Sequence, residues 1–192
     1  MIIIFLILAI IAFYLLTTYN RFVALKTRIK ASIQEIGNQL KRQADLIPNL
    51  TESVKGYLKH EKEIFKQLTE ARKAILEATS KNDVKMMSEA AELSQKTLGQ
   101  LRVVVENTPE IKGVESVNKL MDELRDTADK VMYARRTLID LTADYNVMIV
   151  SFPSNLIANL FGFKEEEGLK TPLTGEHLEV SSDETKTPKV EL

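Results

Sequence analysis

The chain has 192 residues, 44% of them hydrophobic and 28% charged, with a formal net charge of −1, which suits one domain with appendages. It contains no cysteine, so disulfides, thiolate metal sites and cysteine nucleophiles are excluded, and its two histidines lie far apart in sequence. The charge is uneven: residues 1–163 carry net +3 and residues 164–192 net −4, a mildly basic body followed by an acidic tail.

Met1 to Leu16 is apolar throughout apart from the Tyr14 hydroxyl. With Thr17, Thr18 and Tyr19 it gives about 28 Å of helix, close to the roughly 30 Å hydrocarbon layer of a bilayer. No basic residue precedes the run and no small-residue cleavage triplet follows it, so an uncleaved transmembrane anchor over 1–18 is expected rather than a signal peptide. Tyr19 and Arg21 then fall at the membrane interface. Arg21, Lys26, Arg28, Lys30, Lys41 and Arg42 follow the anchor against a single acid, Glu35. That excess predicts a short N-terminus outside and a cytoplasmic body.

From Tyr19 to Val150 the apolar residues recur every three or four positions. Phe22, Leu25, Ile29, Ile33, Ile36 and Leu40 make one stripe, and Val117 through Met148 the longest. The breaks predict helices over about 19–46, 48–79, 83–106 and 114–150, with Asp83 capping the third and Asn107-Thr-Pro109 ending it. Pro48 admits two readings, a turn or a kink within one long helix. The turn is preferred, because four helices of comparable length bury four stripes. The expected fold is therefore all-α: a transmembrane helix, an antiparallel up-and-down four-helix bundle over 19–163, and a disordered acidic tail over 164–192.

Such a bundle returns the fourth helix to the membrane, with Tyr145-Asn146 beside Tyr19-Asn20 and Tyr145 at the interface. It delivers the segment FPSNLIANLFGF there as well. Pro153 stops the fourth helix and Ser154 is placed to cap a short helix from Asn155 to Phe161. Leu156, Ile157, Leu160 and Phe161 form its apolar face, with Phe152 and Phe163 outside it. The segment can either cover the open end of the bundle or touch lipid. A second apolar segment, ADLIPNL, carries Leu46, Ile47, Pro48 and Leu50 to the opposite end under the turn reading, as an apolar cap or a docking knob.

QLKRQADLIPNL, VKGYLKHE, TEARKA and SFPSNLIANLFGF, together with the anchor followed by Tyr19-Asn20, resemble the LemA family of bacterial membrane proteins over about residues 1–163. Gln43 stands where a second Arg is common, Asn159 where Gly is common, and TPEIKG replaces a tyrosine-proline link. The resemblance implies a single-pass anchor and an antiparallel helical bundle, without a defined activity, and some relatives are linked to shaping internal membranes.

No catalytic motif is present. His60-Glu61 with Glu63 reads as a solvated face rather than a metal pair, and the lysines of 55–73 alternate with glutamates, unlike a nucleic-acid patch. No cofactor, metal, nucleic acid or small-molecule substrate is expected. A non-enzymatic membrane scaffold is expected, with the lipid bilayer and either a protein partner or another copy as its contacts. The alternative is an adaptor for a membrane protease or sensor, acting through ADLIPNL or the tail. An enzyme or ligand binder would need a buried polar cluster within these nearly apolar stripes.

Overall fold

The computed structural model describes residues 1–58 and 61–169. Its elements are α1 (Ile2–Lys55), α2 (Lys62–Lys81), α3 (Val84–Glu106), the short α4 (Pro109–Lys112), α5 (Glu115–Val150) and α6 (Ser154–Phe161), and no strand occurs among the described residues. Asp83 caps α3 as expected, its carboxylate accepting from the Met86 N–H at 2.9 Å. Asn82 closes α2 in the left-handed conformation that asparagine tolerates.

The first helix departs from expectation. There is no turn at Pro48: α1 runs through it for 54 residues, about 81 Å. Nor does the helix continue to residue 79, as an unbroken kinked helix would. The chain leaves α1 at Gly56, Tyr57 and Leu58 instead. A proline inside a helix has no N–H to donate to the carbonyl four residues earlier, here that of Ala44. Arg72 of α2 supplies the missing donor, its Nε reaching the Ala44 carbonyl oxygen at 3.0 Å. Pro48 itself faces solvent, while Ile47 and Leu50 on either side are buried. Proline therefore disturbs the ladder only on the face that α2 can repair.

Pairing along α1 gives the molecule two parts. In the upper part α1 meets all three other long helices. Ser94 Oγ donates to the buried Gln43 Oε1 at 2.9 Å, Arg42 lies 3.9 Å from Glu123, and Arg135 of α5 reaches Glu92 of α3 at 2.9 Å. Met87 of α3 packs against Gly37. Gly37 lies about 27 Å above Tyr19, and below it α1 and α5 continue as a pair down to Phe22 and Tyr145, whose rings meet edge to face at 5.7 Å. The four long helices are not of comparable length, and only α1 and α5 reach the lower end.

The core is a single apolar cluster along this axis, from Phe22 and Tyr145 below to Val54, Leu58 and Ile111 above. Tail residues assigned to disorder also join it. Asn146 clasps the Glu166 backbone on both sides, donating to its carbonyl and accepting from its N–H, each at 3.0 Å. Lys26 Nζ lies 2.7 Å from the Glu166 carboxylate, and Leu169 packs against the core. The boundary at 164 thus comes too early, and residues 170–192, the rest of the expected disordered tail, lie outside the described residues.

The Arg72 bond sets a test. Arg72→Met should cost about 1–2 kcal/mol by leaving the Ala44 carbonyl unpaired. Pro48→Ala restores the intrahelical donor, so the same Arg72 change should cost less in that background. Thermal melts of the four proteins in detergent measure the coupling, and equal costs in both backgrounds would contradict the repair.

Candidate membrane-proximal site

Exposure along α1 changes abruptly. Residues 1–17 are exposed on every side of the helix, and Thr18 is the first buried residue. The most apolar 18 residues of α1 have a mean hydropathy of 2.6, and α1 is the one helix among the described residues long and apolar enough to cross a membrane. Thr17 Oγ1 donates back to the carbonyls of Phe13 and Tyr14, so its hydroxyl adds no unmet donor near the end of that stretch.

The turn above Thr18, at Tyr19 and Phe22, meets the C-terminal plug. Val150 ends α5, and the chain turns at Ser151, Phe152 and Pro153 before α6 begins. Ser154 does not cap α6. Its hydroxyl points back, donating to the Met148 and Ser151 carbonyls at 2.7 and 2.9 Å, and so satisfies the C-terminal end of α5. Gly162 ends α6 at φ +72°, a conformation that costs glycine nothing, and redirects the chain so that Phe163 folds inward. Phe163 stacks on Phe22 at 4.7 Å and touches Tyr19 at 5.7 Å, while Phe161 lies 4.8 Å from Tyr19.

The apolar face of α6 is therefore divided. Ile157 and Ala158 are buried against the α1–α5 pair. Leu156 and Leu160 point outward, the latter 72% exposed, and Phe152 just before the helix is 80% exposed. Phe161 does both, with one side on Tyr19 and about half its surface open. Pro153 is exposed and holds no buried position. Arg21 is exposed a half-turn above Tyr19.

Tyr145 is not an interfacial side chain. It is fully buried, and its hydroxyl has no hydrogen-bond partner among the described residues. Burial raises its pKa above the ordinary tyrosine value. Lys26 is raised too, chiefly by its hydrogen bond to Glu166. Both groups hold their protons more tightly folded than unfolded. Their contribution is present below about pH 10 and is lost as pH rises through the folded values. Because the Lys26 side chain is partly solvated, its ion pair with Glu166 contributes little.

The ADLIPNL segment lies elsewhere. It occupies the middle of the upper part, not its end, which is formed by residues 56–58 and the α3–α5 connection. Ile47 and Leu50 are core residues and Leu46 is half-buried, leaving Pro48 as the one exposed member of the four. Two contacts escaped the sequence: Asn146 to Glu166 and Arg72 to Ala44. The Tyr145-Asn146 pair was a signal for the first, and nothing local signalled the second. His60 lies outside the described residues, and no three acidic or imidazole side chains converge on a metal site among those described.

Tyr145→Phe removes an unpaired buried hydroxyl while keeping the ring, so it should leave stability unchanged or raise it slightly. Phe22→Ala should cost about 3–5 kcal/mol, since it empties the centre of the aromatic cluster. Thermal melts at neutral pH would distinguish these, and a large loss for Tyr145→Phe would show that the hydroxyl has a partner.

The sequence matches known proteins over most of its length. The model of the LemA family matches residues 32–191, extending into the tail beyond the 1–163 that the motifs suggested and omitting the anchor. Magnetosome protein MamQ of Magnetospirillum gryphiswaldense is 24% identical over 186 residues, covering 84% of this chain and 68% of the relative. Magnetosome proteins MamQ 1 and MamQ 2 of Paramagnetospirillum magneticum are similar to the same extent. With a family match over most of its residues and an apolar N-terminal helix of membrane-spanning length, the chain is a member of the LemA family.

Proposed function

We propose that this chain is a non-enzymatic helical scaffold, anchored by residues 1–17 and seated on interfacial lipid through α6. The observation that carries this reading is the position of the outward α6 side chains. The Tyr19–Phe161 contact holds α6 at the level where burial along α1 begins. A helix that only closed the end of the bundle would turn its large apolar residues inward. This one leaves Phe152, Leu156 and Leu160 open beside a span that is apolar all round. Burying such side chains in the interface favours contact with lipid by roughly 25 cal/mol per Å².

The body is cytoplasmic in this reading. Arg21 is exposed just above the anchor, where a basic residue beside an anionic surface adds about 1 kcal/mol, and Arg28 and Lys30 continue the basic flank about 14 and 17 Å above Tyr19. The naming of relatives as magnetosome proteins favours the organisation or remodelling of an internal membrane as the process. An adaptor docking through ADLIPNL has less support, because Ile47 and Leu50 are committed to the core.

The absence of native cysteine gives a clean test. A fluorophore on Leu160→Cys in vesicles should be quenched by lipids carrying a quencher near the headgroup. The same label on Lys112→Cys, at the far end, should not be. Equal quenching at the two positions would refute the seating of α6. Leu156→Asp with Leu160→Asp should reduce lipid contact of the plug without changing thermal stability by more than about 0.5 kcal/mol, since both positions are exposed.

A further inference from the structure

The outer face of α5 carries a second apolar stripe that the monomer does not use. Met132, Arg136, Ile139, Ala143, Val147 and Val150 are all exposed. At 100° per residue they fall within about 80° of arc, on the side turned away from the buried Val131, Leu138 and Tyr145. Higher on the same helix the same face is partly covered. There Met121, Arg125 and Ala128 line a groove of about 420 Å³ against Leu98 and Arg102 of α3. Alongside the first turns of α3, where Arg135 reaches Glu92, Met132, Arg136 and Ile139 are left exposed, and beyond the start of α3 the face continues bare to Val150.

We propose that this lower face of α5 is the contact between two copies of the chain standing side by side in one bilayer, an inference that rests on the anchored reading above. Three observations select a second copy as the occupant. First, the bare stripe prolongs a face that already packs on a helix in the upper part. A neighbouring α5 would give the lower pair the four-helix cross-section that α2 and α3 provide above. Second, the area is small. From Met132 to Val150 the stripe is about 27 Å long, one helix wide, well short of the roughly 800 Å² per partner of a standard interface. A soluble partner would have to offset the full loss of rotational freedom with that area. A second anchored copy arrives already parallel and at the same height, which raises its effective concentration.

Third, the charges on this face complement themselves. Arg136 sits within the stripe and Asp140 beside it, and neither makes an ion pair among the described residues. In a parallel two-fold pair, Arg136 of one copy and Asp140 of the other differ by about 6 Å in height, within reach of an arginine side chain.

Single cysteines at Ile139, Ala143 and Val150 of the full-length chain, and a control at the exposed Lys30 of α1, test this in vesicles of phosphatidylethanolamine and phosphatidylglycerol. Mild oxidation should link the three α5 variants into dimers and leave the Lys30→Cys variant monomeric. Absence of dimers at all three α5 positions, or equal linkage at Lys30, overturns the proposal. A charge exchange gives a second readout. Arg136→Glu or Asp140→Arg alone should abolish linkage through Ala143→Cys, and the two together should restore it. A double variant no better than the singles overturns the pairing. Flotation of the same vesicles separates the two readings: chain that floats without linking defeats the pairing alone, whereas chain that does not float defeats the anchor and the pairing with it.

Discussion

The hydrogen bond from Arg72 to the Ala44 carbonyl is the contact on which the shape of the molecule depends. Without a donor there, Pro48 leaves a carbonyl unpaired in the middle of the core, beside Ile47 and Leu50. With it, α1 remains one rod from Ile2 to Lys55. The same bond fixes α2 against α1 at a defined height, because only one carbonyl on the rod is vacated. The buried Gln43–Ser94 pair fixes α3 at a neighbouring level. Two polar contacts thus set the register of the hairpin on a surface that is otherwise apolar and tolerant of sliding.

A continuous α1 has consequences at the lower end. Because α2 starts beyond residue 61 rather than at 48, the hairpin cannot return as far as the lower end of α1. The lower parts of α1 and α5 are left as a pair, and two helices cannot cover each other's stripes. The chain meets this with its own C-terminal segment. Ile157, Phe163 and Leu169 close one region of the pair, with Asn146 holding the strap in place through the Glu166 backbone. The aromatic cluster of Tyr19, Phe22, Tyr145, Phe161 and Phe163 forms where this closure meets the anchor.

Much of this was legible in the sequence. The three-and-four spacing identified the buried stripes, since Phe22, Leu25, Ile29, Ile36 and Leu40 all proved to be core. The apolar N-terminal helix of membrane-spanning length, the Asp83 cap and the break at Asn107 followed from local chemistry. The delivery of FPSNLIANLFGF to the anchor end also emerged, although the turn invoked for it was in the wrong place. Three helix reversals return α5 to that end whether the first falls at 48 or at 56. The misplaced turn has a physical origin. A proline reads as a helix breaker when its vacated carbonyl has no partner, and here the partner lies 28 residues away. The unbroken apolar phase from Phe22 to Leu58 was the better guide. The divided face of α6 was not legible either, because which of Leu156, Ile157 and Leu160 turns inward depends on where Gly162 sends Phe163.

The continuity of α1 through Pro48 is most directly tested by a distance. Lys30 and Lys55, both exposed, can each be replaced by cysteine and spin-labelled in the membrane-bound protein. An unbroken helix places them about 37 Å apart, before the reach of the labels. A reversal at Pro48 would bring residue 55 back beside about residue 41 and shorten the distance to about 20 Å. The continuous rod gives the longer distance, and a distribution centred on the shorter one would contradict it.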